Sequence, residues 1–109
     1  MNAKNVPLEK QIVAQIMRAL KRYGVTWMLK THGGPHQASG LPDIICIAPG
    51  TGRLVGIEVK RPGVGRLTEL QALQISRINS AGGVAGVAYD TEDALDLVRT
   101  ADTAFIPMI

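Results

Sequence analysis

Two short runs rich in β-branched and aliphatic residues, 43–48 and 54–60, flank the turn sequence Pro49-Gly-Thr-Gly-Arg53, and this hairpin signature constrains the chain most. In an antiparallel pair, a turn centred on Gly50 and Thr51 places Asp43 opposite Glu58. A turn shifted by one step pairs Asp43 with Gly56 instead. Because side chains alternate with period two, Asp43, Glu58 and Lys60 point to one face under either turn, and only an odd-residue bulge would separate them. Two carboxylates and one ammonium on otherwise apolar strands repel one another unless a hard divalent cation such as Mg²⁺ or Mn²⁺ sits between the acids.

The rest of the chain supplies the elements around that hairpin. Val6 and Pro7 open a helix that runs to about Tyr23, with apolar residues at Leu8, Ile12, Val13, Ile16 and Leu20 and a stop at Gly24. At about 100° per residue, Val13, Ile16 and Leu20 lie within about 40° of Glu9, so this acid sits in the apolar stripe. Two readings of Glu9 remain open: a carboxylate that meets a metal or a lysine, or the third helical residue after a Val6 cap, wetted and complementing the helix dipole. Residues 25–29 read as a strand whose apolar residues, Trp27 included, belong to the core. Residues 31–40 read as a glycine-rich loop. A second basic loop, 61–66, leads to the capping-box pattern Thr68-Glu-Leu-Gln71 and a helix to about Ala81, stopped by Gly82 and Gly83. Residues 84–89 read as a strand, 91 to about 100 as an acidic helix, and 104–106 as a terminal strand. The expectation is one α/β domain over residues 1–109 with a mixed sheet.

Composition excludes several classes. The longest apolar run covers only residues 44–48, far short of the ~18 residues of a membrane span, and the first residues are too polar for a signal-peptide core. The chain is expected to work in the cytoplasm without membrane or organic cofactor. Its one cysteine, Cys46, is expected in the core. Charge is divided unevenly: residues 1–89 hold 11 Lys and Arg against four acids, and residues 90–109 hold Arg99 against five acids. A surface this basic over the first four-fifths of the chain suits a polyanion, with nucleic acid the leading class. Three of the four acids in that basic part are Glu9, Asp43 and Glu58.

These residues resemble the PD-(D/E)xK nuclease superfamily: Pro42-Asp43, then Glu58-Val59-Lys60 fifteen residues on, with an acid on the preceding helix. Ser39-Gly-Leu-Pro-Asp43, Glu58-Val-Lys-Arg61, Leu67-Thr-Glu-Leu-Gln71 and Ala81-Gly-Gly-Val84 resemble its virus-type replication-repair (VRR-NUC) branch over roughly residues 7–90. The resemblance implies a restriction-endonuclease-like α-β-β-β-α-β core. It implies Asp43, Glu58 and the Val59 carbonyl as metal ligands and Glu9 as support for a second metal or a water. Lys60 would orient or help deprotonate the attacking water, and Gln71 would hold Lys60 or the phosphate beside its capping role. Small stand-alone members of the branch imply homodimers that act on branched DNA in the manner of Holliday-junction resolvases.

Lys30, Arg53, Arg61, Arg66 and Arg77 are candidate phosphate contacts, with Arg61 and Arg66 favoured by their position beside Lys60, and Ser39 joins the DNA-facing set. His32 and His36 are four apart on a loop, which favours phosphate contact or exposure over a zinc site. Ile75, Ile78 and the apolar tail 105–109 are candidates for self-association. The expected function is a metal-dependent, structure-specific DNA endonuclease. The alternatives are a restriction-type or a flap or nick endonuclease and, from another class, a non-catalytic DNA-binding module.

Overall fold

The computed structural model describes residues 6–31 and 40–103. The chain order is α1 (Glu9–Tyr23), β1 (Met28–Lys30), β2 (Ile44–Ile47), β3 (Leu54–Val59), α2 (Glu69–Ser80), β4 (Val84–Ala88) and α3 (Thr91–Asp102). The sheet order is β1-β2-β3-β4, antiparallel across the first three strands and parallel between β3 and β4. This is the expected mixed sheet, consistent with a restriction-endonuclease-like core. The tail 104–109, with its expected strand and its self-association candidates, lies outside the described residues, as do His32, His36 and Ser39.

The two faces of the sheet are covered differently. Ile44, Cys46, Val55, Ile57 and Val59 pack with Ile12, Val13, Ile16 and Leu20 of α1 and with Ala94, Val98 and Ala101 of α3 to form the core. Cys46 is buried there as expected, and burial pushes its thiol up to about 11. On the other face, α2 lies over β3 and β4. A Cβ on Gly56 would sit 3.0 Å from Ile78 Cδ1, so Ile78 packs against the sheet at this glycine. Glu58 shares that second face with Gly56, and Asp43 with Ile45, since residues two apart on a strand point the same way.

Several boundaries differ from the sequence reading for local reasons. α1 starts at Glu9, with Leu8 as its N-cap and the Gln11 side chain accepting from the Leu8 N–H at 2.8 Å, so Glu9 is the first helical residue and not the third. Gly24 takes φ +118, and the Val25 N–H reaches back to the Leu20 carbonyl at 3.0 Å. Val25 is therefore spent on the helix C-cap, and β1 starts later than expected. Trp27 and Leu29 are 51% and 50% exposed, against the expectation that they join the core. β1 is an edge strand, and its face pointing the same way as Ile45 and Ile47 carries no helix among the described residues. Among those residues, no helix is long and apolar enough to cross a membrane.

Candidate functional site

The β2–β3 ladder pairs Ile44 with Ile57, Ile45 with Gly56, Cys46 with Val55 and Ile47 with Leu54. This is the register of a turn centred on Gly50 and Thr51, and its next step puts Asp43 across from Glu58. The strand cannot continue regularly through Pro42, which has no N–H to give. Asp43 finishes the ladder with its side chain: Oδ2 accepts the Val59 N–H at 2.8 Å. Its backbone is held from the other side, where the Thr31 N–H donates to the Asp43 carbonyl at 2.9 Å and the Thr31 hydroxyl to the Pro42 carbonyl at 2.8 Å.

Glu58 is the most deeply buried charged residue described, at 1% exposure. Its Oε1 accepts from Gln71 Nε2 at 3.1 Å and lies 3.6 Å from Lys60 Nζ. Its Oε2 is buried and has no hydrogen-bond partner. Buried carboxylate oxygens are seldom left so, because each lost partner costs about 1–3 kcal/mol or more. One oxygen from each of Glu9, Asp43 and Glu58 falls within 4.8 Å of the others. The half-buried Glu9 enters from the first turn of α1, so of the two sequence readings the helix brings it to the acids.

The electrostatics follow from the crowding. Burial, then the close and negatively charged Asp43 carboxylate, push the Glu58 carboxyl up to about 8; Lys60 opposes this and Glu9 adds to it. The Glu9 carboxyl is also raised, by burial and then by Asp43, against the pull of Lys60 and Arg61. One lysine does not offset three acids. An all-oxygen donor set of this kind, with one buried oxygen unpartnered, fits a hard divalent cation.

Gln71 takes its expected capping role, and its free amide end meets Glu58 rather than Lys60. Its Oε1 accepts the Thr68 N–H at 2.9 Å, its own N–H donates to Thr68 Oγ1 at 3.2 Å, and its Nε2 is then directed at Glu58. One capping box thus orients the helix start and the buried Glu58 carboxylate together.

The basic candidates are scattered. Lys30 ends β1 one step from Asp43, and Arg66 precedes α2; both are exposed. Arg53 sits at the far end of β3, about 16 Å of strand away from Glu58, with Nε donating to the Gly82 carbonyl at 3.1 Å. Arg77 is exposed in the last turn of α2, away from the Gln71 end. Arg61 donates from Nε to the Pro7 carbonyl and from Nη2 to the Val6 carbonyl, both at 3.0 Å.

Two glycines that shape the site were not singled out in the sequence. A Cβ on Gly40, at φ +82, would stand 2.5 Å from the Leu70 carbonyl carbon, so only glycine lets the approach to Asp43 pass the first turn of α2. A Cβ on Gly65 would stand 3.0 Å from Lys60 Cβ and 3.1 Å from Cδ, so this residue closes over the lysine stem. The available signal was a glycine in each segment flanking the acid-bearing strands.

Among known families, the VRR-NUC domain matches residues 6–91. No curated protein and no solved structure matches the chain.

Proposed function

The chain belongs to the VRR-NUC domain family and is a nuclease domain, and from that premise we propose that it is a divalent-metal-dependent endonuclease acting on branched DNA, with residues 1–109 as one catalytic domain. The observation that carries the proposal is Glu58: a carboxylate 1% exposed, one oxygen without a partner, facing two further carboxylates. Such an arrangement is costly in a protein that only binds DNA, where the three acids would oppose the phosphates and contribute nothing.

Asp43, Glu58 and the Val59 carbonyl would hold the cation, with Glu9 supporting a second cation or a water. When bound, Mg²⁺ or Mn²⁺ supplies the Lewis acidity that phosphodiester hydrolysis requires and the charge that offsets the carboxylates. The protein's own parts do the remaining work. Asp43 is held in place by the Val59 N–H and Glu58 by Gln71, so neither carboxylate has to be ordered when substrate arrives. Lys60 Nζ, kept beside Glu58, orients the attacking water and places positive charge where the phosphate becomes more negative. Lys30 and Arg66 flank this end of the sheet and contact DNA phosphates.

Symmetric cutting of two strands requires two such sites related by a two-fold axis, and we assign the active form to a homodimer. Exposed Trp27 and Leu29 on β1 and Leu70 and Leu73 on α2 are apolar surface suited to that contact.

The test is incubation of the purified chain with a labelled four-way junction, a flap and a linear duplex, with and without Mg²⁺ or Mn²⁺. Metal-dependent cutting of the junction in preference to the duplex is expected. Cutting confined to flaps or nicks would replace the resolvase-like reading with a single-strand one. Binding without cutting of any substrate under either metal would leave a DNA-binding module.

A further inference from the structure

The Leu8 side chain gives α1 no cap, and the first turn is closed from within the helix by the Gln11 side chain, which accepts the Leu8 N–H at 2.8 Å. That turn carries Glu9, whose charge is repelled by Asp43 and Glu58. The Gln11 cap closes the turn on itself and does not tie it to the sheet that carries the other two acids. Arg61, the residue directly after Lys60, reaches the two residues that lead into the helix, with Nε on the Pro7 carbonyl and Nη2 on the Val6 carbonyl, each at 3.0 Å. Val6 is itself buried, which anchors the segment. The turn that follows Arg61 is closed by Gly65 N–H on the Arg61 carbonyl at 2.9 Å, and Gly65 packs on the Lys60 stem. The exit of β3 therefore touches both the lysine and the entry of α1.

We propose that Arg61 is a positioning residue whose two bonds to the carbonyls of Val6 and Pro7 tie the entry of α1 to the exit of β3 and so hold the Glu9 carboxylate at the Asp43 and Glu58 site. The proposal rests on reading those three carboxylates as a cation site. A guanidinium suits the task because its planar fork serves two neighbouring acceptors at once, which an ammonium does not do in one geometry. It gives Arg61 a different role from the phosphate contact that its place beside Lys60 suggests.

The experiment is a titration of the full chain with Mn²⁺, read as free Mn²⁺ by electron paramagnetic resonance, for the wild type, Arg61→Met, Glu9→Gln, the double variant and Glu58→Gln. Arg61→Met keeps the aliphatic stem and removes the fork. It is expected to weaken Mn²⁺ binding about tenfold, as losses of groups supporting a metal ligand do, and by about the same factor as Glu9→Gln. The double variant should be no weaker than Glu9→Gln alone, because both changes remove the same contribution. DNA binding without divalent cations should keep its wild-type salt slope. Multiplied losses in the double variant, or wild-type Mn²⁺ binding with a salt slope lower by about one, would overturn the positioning role and make Arg61 a phosphate contact. If Glu58→Gln leaves Mn²⁺ binding unchanged, the cation-site reading falls and the positioning role falls with it. If Glu58→Gln abolishes binding while Arg61→Met does not weaken it, the positioning role falls alone. Should Arg61→Met fail to fold, Arg61→Lys reads the same quantities, with a smaller loss expected and wild-type binding again overturning the role.

Discussion

The two ends of the β2–β3 hairpin each carry a carboxylate that reaches across elements, and they are handled in opposite ways. At the turn end, Asp102 of α3 accepts the Gly50 N–H on Oδ1 and the Tyr23 hydroxyl on Oδ2, both at 2.7 Å, and the Thr51 hydroxyl donates to the Ala101 carbonyl at 2.7 Å. Both carboxylate oxygens have a partner, and α1, α3 and the turn are stapled together. At the open end, Glu58 is more deeply buried, faces two other acids, and leaves Oε2 with nothing. Asp102 is partly exposed and still has a protein partner on each oxygen, whereas Glu58 is buried and lacks one. Under the proposed function, the unsatisfied one is where stability is given up to hold a cation.

The largest test of this contrast is catalytic. Lys60→Ala and Asp43→Ala are each expected to lower the cleavage rate by at least about a hundredfold, because each removes a group acting on the reacting phosphate or its cation. Junction binding should persist, since the basic surface is untouched. Asp102→Ala assayed well below its unfolding temperature should cut at the wild-type rate. Near-wild-type cutting by either site variant would put the chemistry elsewhere.

Next comes pH. The Glu58 carboxyl binds its proton more tightly folded, at about 8, than in the unfolded chain, near 4.5. The stability it contributes is therefore fully present below about 4.5 and is lost as pH rises through about 8. Without divalent metal, thermal unfolding should shift to lower temperature across that window. Glu58→Gln should flatten the dependence, and Mn²⁺ should raise the unfolding temperature most at the alkaline end, where the carboxylate is ionised. A metal-free profile that rises with pH over this window would contradict the assigned environment.

The staple gives a smaller effect of the other kind. Asp102→Ala removes two hydrogen bonds to a charged acceptor at a partly exposed position and should cost about 1–3 kcal/mol, a fall of several degrees in unfolding temperature for a chain of this size. Calorimetry reads it directly. No change would mean that the turn end is held by the core alone.

How much of this was legible in the sequence depends on the range of the interaction. The common face of Asp43, Glu58 and Lys60 was legible because side chains alternate with period two under either turn, while the register that puts Asp43 opposite Glu58 was one of two that the turn left open. The Thr68 and Gln71 capping box was legible because it spans three residues. The partners of Arg61 and Asp102 were not: the bonds run from Arg61 back to Pro7 and from Asp102 back to Tyr23, and neither separation leaves a periodic trace. Asp102 counted only as one charge in an acidic helix. Trp27 was misread because an apolar strand residue is core only if a helix lies over its face, and where α2 lies is set by its packing on Gly56 and Gly83, not by β1.

The smallest effect distinguishes the arginines at the two ends. Arg66 is exposed beside the site, whereas Arg53 sits at the turn end with Nε on the Gly82 carbonyl. Each phosphate neutralised releases condensed counterions, so losing one contact lowers the slope of log affinity against log salt by about one unit. Arg66→Ala should do this for junction, flap and duplex alike, since a phosphate contact carries no shape or sequence information. Arg53→Ala should leave the slope unchanged and act instead on stability, through the carbonyl it abandons. If Arg53→Ala lowers the slope and Arg66→Ala does not, the DNA path crosses the turn end of the sheet. The carboxylates at the open end would then be too far from the scissile phosphate to act on it.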